Sequence, residues 1–202
     1  MKIGVLAFQG GVIEHIKQIE ALGHDAIEVK KEEDLEGLDG IILPGGESTT
    51  MGKLLRITNL LKPLKRKIEE GLPTFGTCAG MILLAKEIEG ENSHLNLMNI
   101  KVKRNAFGRQ LDSFSEFHKV KGIENEMELV FIRAPYVEEV GENVEVLCKV
   151  KDRIVAVKEK NIIATSFHPE LTEDLTFMKY FLRMANVPVM YAVRNMTMNV
   201  TG

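Results

Sequence analysis

The stretch around Cys78 constrains the fold most strongly, because it has the pattern of a buried strand, a very tight turn and an apolar helix. Residues 72–85 read LPTFGTCAGMILLA, with Cys78 at the tip of the turn within Gly-x-Cys-x-Gly. A strand that reverses directly into a helix leaves no room for side chains beside the tip, which explains Gly76 and Gly80. Such an elbow projects a thiol at a helix N-terminus, where free N–H groups favour the thiolate. Taken alone, the pattern also fits a buried structural cysteine.

The overall composition is that of a globular protein with enough apolar material for a core. Of the 202 residues, 45% are hydrophobic and 27% are charged, and no linker divides the chain. We therefore expect a single domain over residues 1–185. Residues 186–202 form an apolar, Met-rich tail with a single charged residue, and the sequence assigns this tail no role.

Charge and cysteine content exclude several classes of protein. A net charge of −3 argues against a nucleic-acid-binding protein, which usually carries a basic face. Two cysteines are too few for a disulfide framework and suit a reducing compartment; Cys148 lies in an apolar run typical of a core strand. The chain starts without the apolar run of a signal peptide and contains no stretch that could span a bilayer. We therefore predict a cytoplasmic protein with no membrane partner.

The first half of the chain alternates between strand and helix patterns. Strands are predicted at residues 2–7, 25–29, 39–43 and just before the elbow, and helices at 12–22, within 51–70 and from the elbow to about Glu87. This alternation predicts right-handed crossovers and an α/β fold: a three-layer, doubly wound, mostly parallel sheet of the flavodoxin-like type. Ligands bind at the carboxyl ends of such strands, where the sequence places Gln9-Gly10, Gly45-Gly46 and Cys78.

The second half changes to short strands separated by turn residues. These strands are predicted at residues 98–104, 116–121, 128–132, 144–150, 153–158 and 162–166. We expect some of them to be antiparallel and to extend the parallel sheet. The last predicted helix runs from Thr172 to Ala185, with acidic residues in its first turn and Arg183 in its last turn, as the helix dipole favours.

A cysteine nucleophile needs a base, and the base needs a third group that orients it. His168 and Glu170 follow the apolar strand at 162–164, and Pro169 between them favours an extended geometry that projects both to the same side. Alone, this His-Pro-Glu also fits a surface loop. The other histidines lack a carboxylate two residues on beside a proline, and His15 is expected only to lie beside the core face of the first helix.

Attack on a carbonyl also needs an oxyanion hole. The N–H of Ala79, which follows the nucleophile, is one candidate donor, and the Gly45-Gly46 turn could offer the second. An ordinary turn explains Pro44-Gly45-Gly46-Glu47 equally well, and a Gly-rich turn before a helix also suits phosphate. The full Walker A spacing is absent, however, and no lysine directly follows the glycines.

Five motifs together resemble a known enzyme family. They are residues 44–50 (PGGESTT), 76–80 (GTCAG), 104–110 (RNAFGRQ), 131–135 (FIRAP) and 166–170 (SFHPE), and the opening 3–10 (IGVLAFQG) with Glu14-His15 agrees with them. In order and without large gaps over residues 1–185, the chain resembles the class I (triad) glutamine amidotransferases, and among them the glutaminase subunits of pyridoxal 5′-phosphate synthase.

The resemblance implies hydrolysis of L-glutamine to glutamate and ammonia through a Cys78 thioester, with the ammonia passed to a (β/α)8-barrel synthase subunit that makes pyridoxal 5′-phosphate (vitamin B6). It implies neither a metal nor a cofactor. By position, Cys78, His168 and Glu170 form the triad, and the second oxyanion donor is Gly46 beside Ala79. The implied glutamine-binding residues are Gly46, Glu47, Ser48, Arg104, Ile132 and Arg133.

Two other interpretations stay open at the level of sequence. The same triad could serve an amidotransferase of a different pathway. The chain could also be a non-enzymatic, regulatory domain of a related cysteine-elbow family, although Glu170 and the Gly45-Gly46-Glu47 loop argue against this.

Overall fold

The computed structural model describes residues 1–104 and 113–186 of the chain. The strands in these residues are β1 (Lys2–Leu6), β2 (Asp25–Val29), β3 (Gly40–Leu43), β4 (Thr74–Thr77), β5 (Ala85–Ile88), β6 (Met98–Lys103), β7 (Ser113–Lys119), β8 (Glu126–Ile132), β9 (Tyr136–Val140), β10 (Glu145–Val150), β11 (Arg153–Glu159) and β12 (Ile162–Thr165). The helices are α1 (Val12–Ala21), α2 (Ser48–Ile57), α3 (Leu61–Glu69), α4 (Ala79–Leu84) and α5 (Thr176–Ala185), with 3₁₀ turns at Glu32–Leu35 and Pro169–Leu171.

One sheet runs through the molecule in the order β2-β1-β3-β4-β12-β11-β9-β6-β5, and β10 pairs with β11. The pairs from β2 to β12 are all parallel, with Ala164 of β12 opposite Gly76 of β4. Strand β11 is antiparallel to β12, β9 and β10, and β6 is antiparallel to β9. The flavodoxin-like order of the first strands and the partly antiparallel extension confirm the predicted fold class.

The core consists of two apolar clusters, one on each face of the sheet. Ile41 and Leu43 of β3 belong to one cluster and Ile42 to the other, as expected because successive strand residues point to opposite faces. Buried residues of α2, α3 and α4 contribute to the first cluster, and those of α1 and α5 to the second. The sheet therefore lies between two helical layers.

The predicted helix from the elbow to about Glu87 is too long. Helix α4 ends at Leu84, and Ala85, already extended, begins β5, which pairs in parallel with β6. In β5, Ala85 and Ile88 are buried and Lys86 and Glu87 are exposed, with a register irregularity between Ala85 and Glu87. Pairing along the edge of the sheet therefore overrides the local helix preference.

The structure also differs from prediction in the start of the last helix, in one further strand, in the placement of β7 and β8, and at Pro63, where a helix break is predicted. Helix α5 begins at Thr176 rather than Thr172, because Asp174 precedes the helix and its Oδ1 accepts a hydrogen bond from the N–H of Thr176. Strand β9 was not predicted. Strands β7 and β8 form a separate two-stranded sheet instead of extending the main one. Pro63 lies in the first turn of α3 without breaking it, since the N–H that it lacks is unpaired there anyway.

Two predicted segments lie outside the described residues: 105–110 of the Arg104 motif, and 187–202 of the tail. Across the described ranges, no helix is both long and apolar enough to cross a membrane.

Candidate active site

Cys78 occupies the strained tip of a strand-to-helix turn. It directly follows β4 and precedes α4, with φ 49° and ψ −98°, a conformation that residues other than glycine rarely adopt. Its N–H donates to the carbonyl oxygen of Thr165 at 2.7 Å. A methyl group added at Gly80 would lie 2.0 Å from the carbonyl oxygen of Leu43, so the elbow requires glycine there. The predicted elbow is therefore present, although α4 is only six residues long.

His168 reaches the elbow because β12 lies beside β4, with Thr165 opposite Thr77. The Nδ1 atom of His168 lies 2.7 Å from Oε1 of Glu170, and the Glu170 side chain is 1% exposed. The backbone between them differs from the predicted extended geometry, because Pro169–Leu171 forms a 3₁₀ turn. The 3₁₀ turn, rather than an extended segment, places the His168 and Glu170 side chains next to each other.

The His168 and Cys78 side chains converge beside Gly45, where a methyl group would lie 2.4 Å from Cε1 of His168 and 3.6 Å from Cβ of Cys78. Burial alone would lower the pKa of His168, but its interactions with Cys78 and Glu170 outweigh burial and raise that pKa to about 10. Burial would also raise the pKa of Glu170, yet His15 and His168 hold it below its usual value. A charged imidazolium beside a carboxylate is the state that these shifts favour.

Every predicted site residue lines one cavity of about 620 Å³, a size typical of small-molecule sites. Around the triad it brings together the predicted oxyanion donors and glutamine-binding residues: Gly46, Glu47, Ser48, Ala79, Arg104, Ile132 and Arg133. Arg133 also has a left-handed backbone, with φ 42°, directly after β8. The described residues contain no group of three or more His, Cys, Asp or Glu side chains placed to hold a metal ion.

Glu47 lines the cavity and is also the N-cap residue of α2. Its Oε1 accepts from the N–H of Thr49, and its Oε2 accepts from the N–H and the hydroxyl of Thr50. The Thr50 hydroxyl and these N–H groups lower the pKa of Glu47 to about 2. Nη2 of Arg104 also lies 3.3 Å from Oε1 of Glu47. The carboxylate is therefore charged and held in place.

The loop at Gln9-Gly10 contacts the Gly45-Gly46 turn directly. A methyl group at Gly10, whose φ is +83°, would lie 1.6 Å from the carbonyl oxygen of Gly45. The side-chain amide of Gln9 donates to the carbonyl oxygen of Glu47 at 3.1 Å. The ends of β1 and β3 thus meet where the second oxyanion donor is predicted.

Sequence reasoning missed two residues near the site. Glu91 lies 3.2 Å from Nη1 of Arg104 and accepts from the hydroxyl of Thr49, and nothing in its loop sequence distinguished it. His15 is fully buried with its Nε2 3.7 Å from Oε2 of Glu170. Its spacing from Val12 and Ile19 in a helix was the signal that this side chain faces inward.

A sheet of this topology that carries a cysteine elbow, with a histidine–glutamate pair directly after the neighbouring strand, defines the class I glutamine amidotransferases. Comparison with known proteins identifies the family within this class to which the chain belongs. The profile of the SNO glutamine amidotransferase family matches residues 5–187. The chain belongs to this family, as its resemblance in sequence indicated.

Relatives and solved structures agree with this assignment. The chain is 69% identical to pyridoxal 5′-phosphate synthase subunit PdxT of Clostridium beijerinckii, over 91% of this chain and 97% of the relative. It is 55% identical to the Geobacillus thermodenitrificans protein of that name, over 91% and 95%. A crystal structure of a glutamine amidotransferase superposes with a TM-score of 0.88 at 49% identity, covering 92% of this chain and 99% of that one. The structure of PurLQS from Thermotoga maritima, at 16% identity and a TM-score of 0.67 over 91% and 96%, shares the fold.

Proposed function

We propose that this chain hydrolyses L-glutamine to L-glutamate and ammonia through a thioester on Cys78, as the glutaminase subunit of a pyridoxal 5′-phosphate synthase. The observation that carries the proposal is the convergence of the strained Cys78 elbow with His168, whose Nδ1 lies 2.7 Å from the buried Glu170. Membership of the SNO glutamine amidotransferase family supports glutamine as the substrate. The direct test is the release of glutamate and ammonia in equal amounts from glutamine.

In the first half of the reaction, the Cys78 sulfur attacks the side-chain amide carbon of glutamine. The carbonyl oxygen becomes an oxyanion, which the N–H of Ala79 and a donor at Gly46 stabilise. His168, held as an imidazolium by Glu170, donates its proton to the amide nitrogen. The carbon–nitrogen bond breaks, ammonia leaves, and a glutamyl thioester remains on Cys78.

In the second half, His168 acts as a base. It takes a proton from a water molecule, whose oxygen attacks the thioester carbon. The oxyanion forms again at the same donors, the carbon–sulfur bond breaks, and glutamate leaves. Glu170 keeps one hydrogen bond to Nδ1 throughout, so that the other ring nitrogen faces the reacting atoms.

The ion pair between Glu47 and Arg104 suits the zwitterionic end of an amino acid. The two groups face each other at 3.3 Å and are both partly exposed. On glutamine binding, the α-carboxylate pairs with Arg104 and the α-ammonium with Glu47, so that each charge exchanges one partner for another. Oγ of Ser48, buried and without a hydrogen-bond partner in the described residues, supplies a further polar contact.

Replacing Glu47 with glutamine is expected to raise KM for glutamine about 10- to 150-fold with a smaller effect on kcat, because a bond to a charged group contributes about 1.5–3 kcal/mol. Steady-state glutamate formation over a range of glutamine concentrations measures both constants. Thr50→Ala is the matched control, since it removes one hydrogen bond to this carboxylate but keeps the charge. A KM unchanged in Glu47→Gln, or raised equally in Thr50→Ala, would mean that Glu47 acts only as a helix cap.

The ammonia acceptor in this proposal is a (β/α)8-barrel synthase subunit in a hetero-oligomeric complex. Relatives that are up to 69% identical carry the name of a pyridoxal 5′-phosphate synthase subunit, which supports this partner over an amidotransferase of another pathway. Co-purification of the chain with the barrel subunit tests the choice. Binding to a different synthase, with none to this one, would favour the other pathway.

The contact between the Gln9-Gly10 loop and the Gly45-Gly46 turn suggests how a partner controls the rate. Glycine peptides reorient with little steric barrier, so the second oxyanion donor can be misplaced in the free subunit and set by a partner that docks on the loop. A missing oxyanion donor costs about 10²–10³ in kcat. Saturating synthase is therefore expected to raise kcat for glutamine hydrolysis at least about tenfold. Equal rates with and without synthase, in a complex verified by sedimentation, would show that the hole is preformed.

We also propose that residues 1–185 act as one domain in the cytoplasm. The site draws residues from the end of β1 through to the turn after β12, so it cannot be divided between an N-terminal and a C-terminal half of the chain. Both cysteines are unpaired, which agrees with the thioester chemistry proposed for Cys78 and with a reducing compartment.

A further inference from the structure

His15 lies behind the triad on helix α1 and is completely buried. Its Nε2 is 3.7 Å from Oε2 of Glu170 and 3.4 Å from the hydroxyl oxygen of Thr77, the residue directly before Cys78. The ring also stands edge-on to Phe75 of β4, with centroids 6.0 Å apart and planes at 85°. His15 therefore contacts both the strand that carries the nucleophile and the carboxylate that orients the base.

The two oxygens of Glu170 have different surroundings. Oε1 faces Nδ1 of His168 at 2.7 Å, whereas Oε2 is buried without a hydrogen-bond partner among the described residues. A buried carboxylate oxygen that lacks a donor is costly and leaves the group free to rotate away from its other partner. Nε2 of the His15 imidazole lies 3.7 Å from Oε2, so an N–H on this nitrogen can point toward that oxygen. Burial lowers the pKa of His15, although the neighbouring Glu170 carboxylate opposes this effect, and a proton on Nε2 is the one that faces Oε2.

Helix α1 is fixed against the turn that carries Glu170, so the position of His15 is well determined. The side-chain amide of Gln18, one helical turn further on, donates to the carbonyl oxygens of Pro169 at 3.0 Å and Thr172 at 3.2 Å. At the start of the helix, a methyl group on Gly11 would come within 3.1 Å of Oε1 of Glu170. The Gln18 hydrogen bonds thus hold the helix and the turn together, and Gly11 allows their close approach.

We propose that His15 is a positioning residue for the triad, which keeps Glu170 aligned with His168 through an N–H on Nε2 directed at the second carboxylate oxygen. Loss of this N–H lets Glu170 turn and the His168 ring drift, while the glutamine-binding residues stay in place. The effect therefore falls on kcat and spares KM. This inference rests on the proposed glutaminase function.

Three substitutions separate the donor from the packing role. His15→Phe keeps a ring against Phe75 but removes the N–H. His15→Gln places an amide nitrogen at the ε position, where it can face Glu170, and His15→Asn holds the same amide one carbon short. His24→Phe is the control, because His24 precedes β2 at the opposite edge of the sheet from the site.

The experiment compares kcat and KM for glutamine in the complex with saturating synthase, with folding checked by thermal unfolding. We expect His15→Phe and His15→Asn to lower kcat about 10- to 100-fold with little change in KM, as a small misplacement of a catalytic group does. His15→Gln is expected to keep kcat within about threefold of wild type, and His24→Phe likewise. If His15→Phe does not fold, the comparison of His15→Gln with His15→Asn decides whether a donor at the ε position is needed.

A folded His15→Phe with wild-type kcat, or a His15→Gln as slow as His15→Asn, would overturn the positioning role. The proposed function would still stand in that case, because the wild-type complex would be active. A wild-type complex that releases no glutamate would instead overturn the proposed function, and this role with it.

Discussion

Cys78→Ala is expected to abolish glutamine hydrolysis, with kcat lowered by at least about 10⁴-fold, because only binding and the oxyanion hole remain. The fold should survive. Alanine is no worse than cysteine at the left-handed φ of 49°, and the side chain that is lost is small. Glutamate formation measures the rate, and thermal unfolding confirms that the variant is native.

The matched control is the second cysteine. Cys148 is buried in β10, burial raises the pKa of its thiol to about 11, and it does not line the cavity. Cys148→Ala should therefore keep kcat within about threefold of wild type. A folded Cys78→Ala that retains more than a few per cent of wild-type kcat would exclude Cys78 as the nucleophile.

His168→Asn is expected to be nearly as severe, with Glu170→Gln a milder loss. Without His168 the leaving ammonia loses its proposed proton donor, and kcat should fall about 10⁴-fold. Glu170 orients the ring without reacting, and glutamine in its place keeps an oxygen that can accept from Nδ1, so about 10- to 10³-fold is expected.

The thiolate content gives a second readout for this pair. Because the imidazolium of His168 is proposed to pair with a thiolate on Cys78, alkylation of Cys78 by iodoacetamide at neutral pH should be slower in His168→Asn than in wild type. Equal alkylation rates in both proteins would show that His168 is not the partner of Cys78. A Glu170→Gln variant slower than His168→Asn would mean that Glu170 does more than orient the ring.

Local pattern predicted the elements that position the chemistry. The Gly-x-Cys-x-Gly elbow needs glycines because neighbouring backbone lies too close for side chains there. The alternation of strands and helices leaves few topologies open to the chain. The carboxyl ends of β1, β3 and β4 therefore had to meet at one edge. The strand predicted at 162–166 places the His-Pro-Glu segment at the end of a strand. The pairing of that strand, β12, with β4 was not predictable from the sequence of either strand alone.

What sequence could not predict depends on contacts between distant parts of the chain. Strand β5 replaces the end of the predicted helix because its backbone pairs in parallel with β6. Glu47 proves to be a helix cap as well as a cavity residue, and its Arg104 partner lies 57 residues away. His15 was expected only to lie beside the core face of the first helix, since the carboxylate that it faces comes from the other end of the chain.

The central claim, a glutamyl thioester on Cys78, is tested most directly by trapping the intermediate. The complex with synthase is mixed with isotopically labelled glutamine, quenched in acid during turnover, and digested for mass spectrometry. The account predicts that one glutamyl group is recovered on the peptide containing Cys78, that hydroxylamine removes it, and that Cys78→Ala carries none. Glutamate release by wild type with no label on this peptide, or label on the same peptide of Cys78→Ala, would contradict the account.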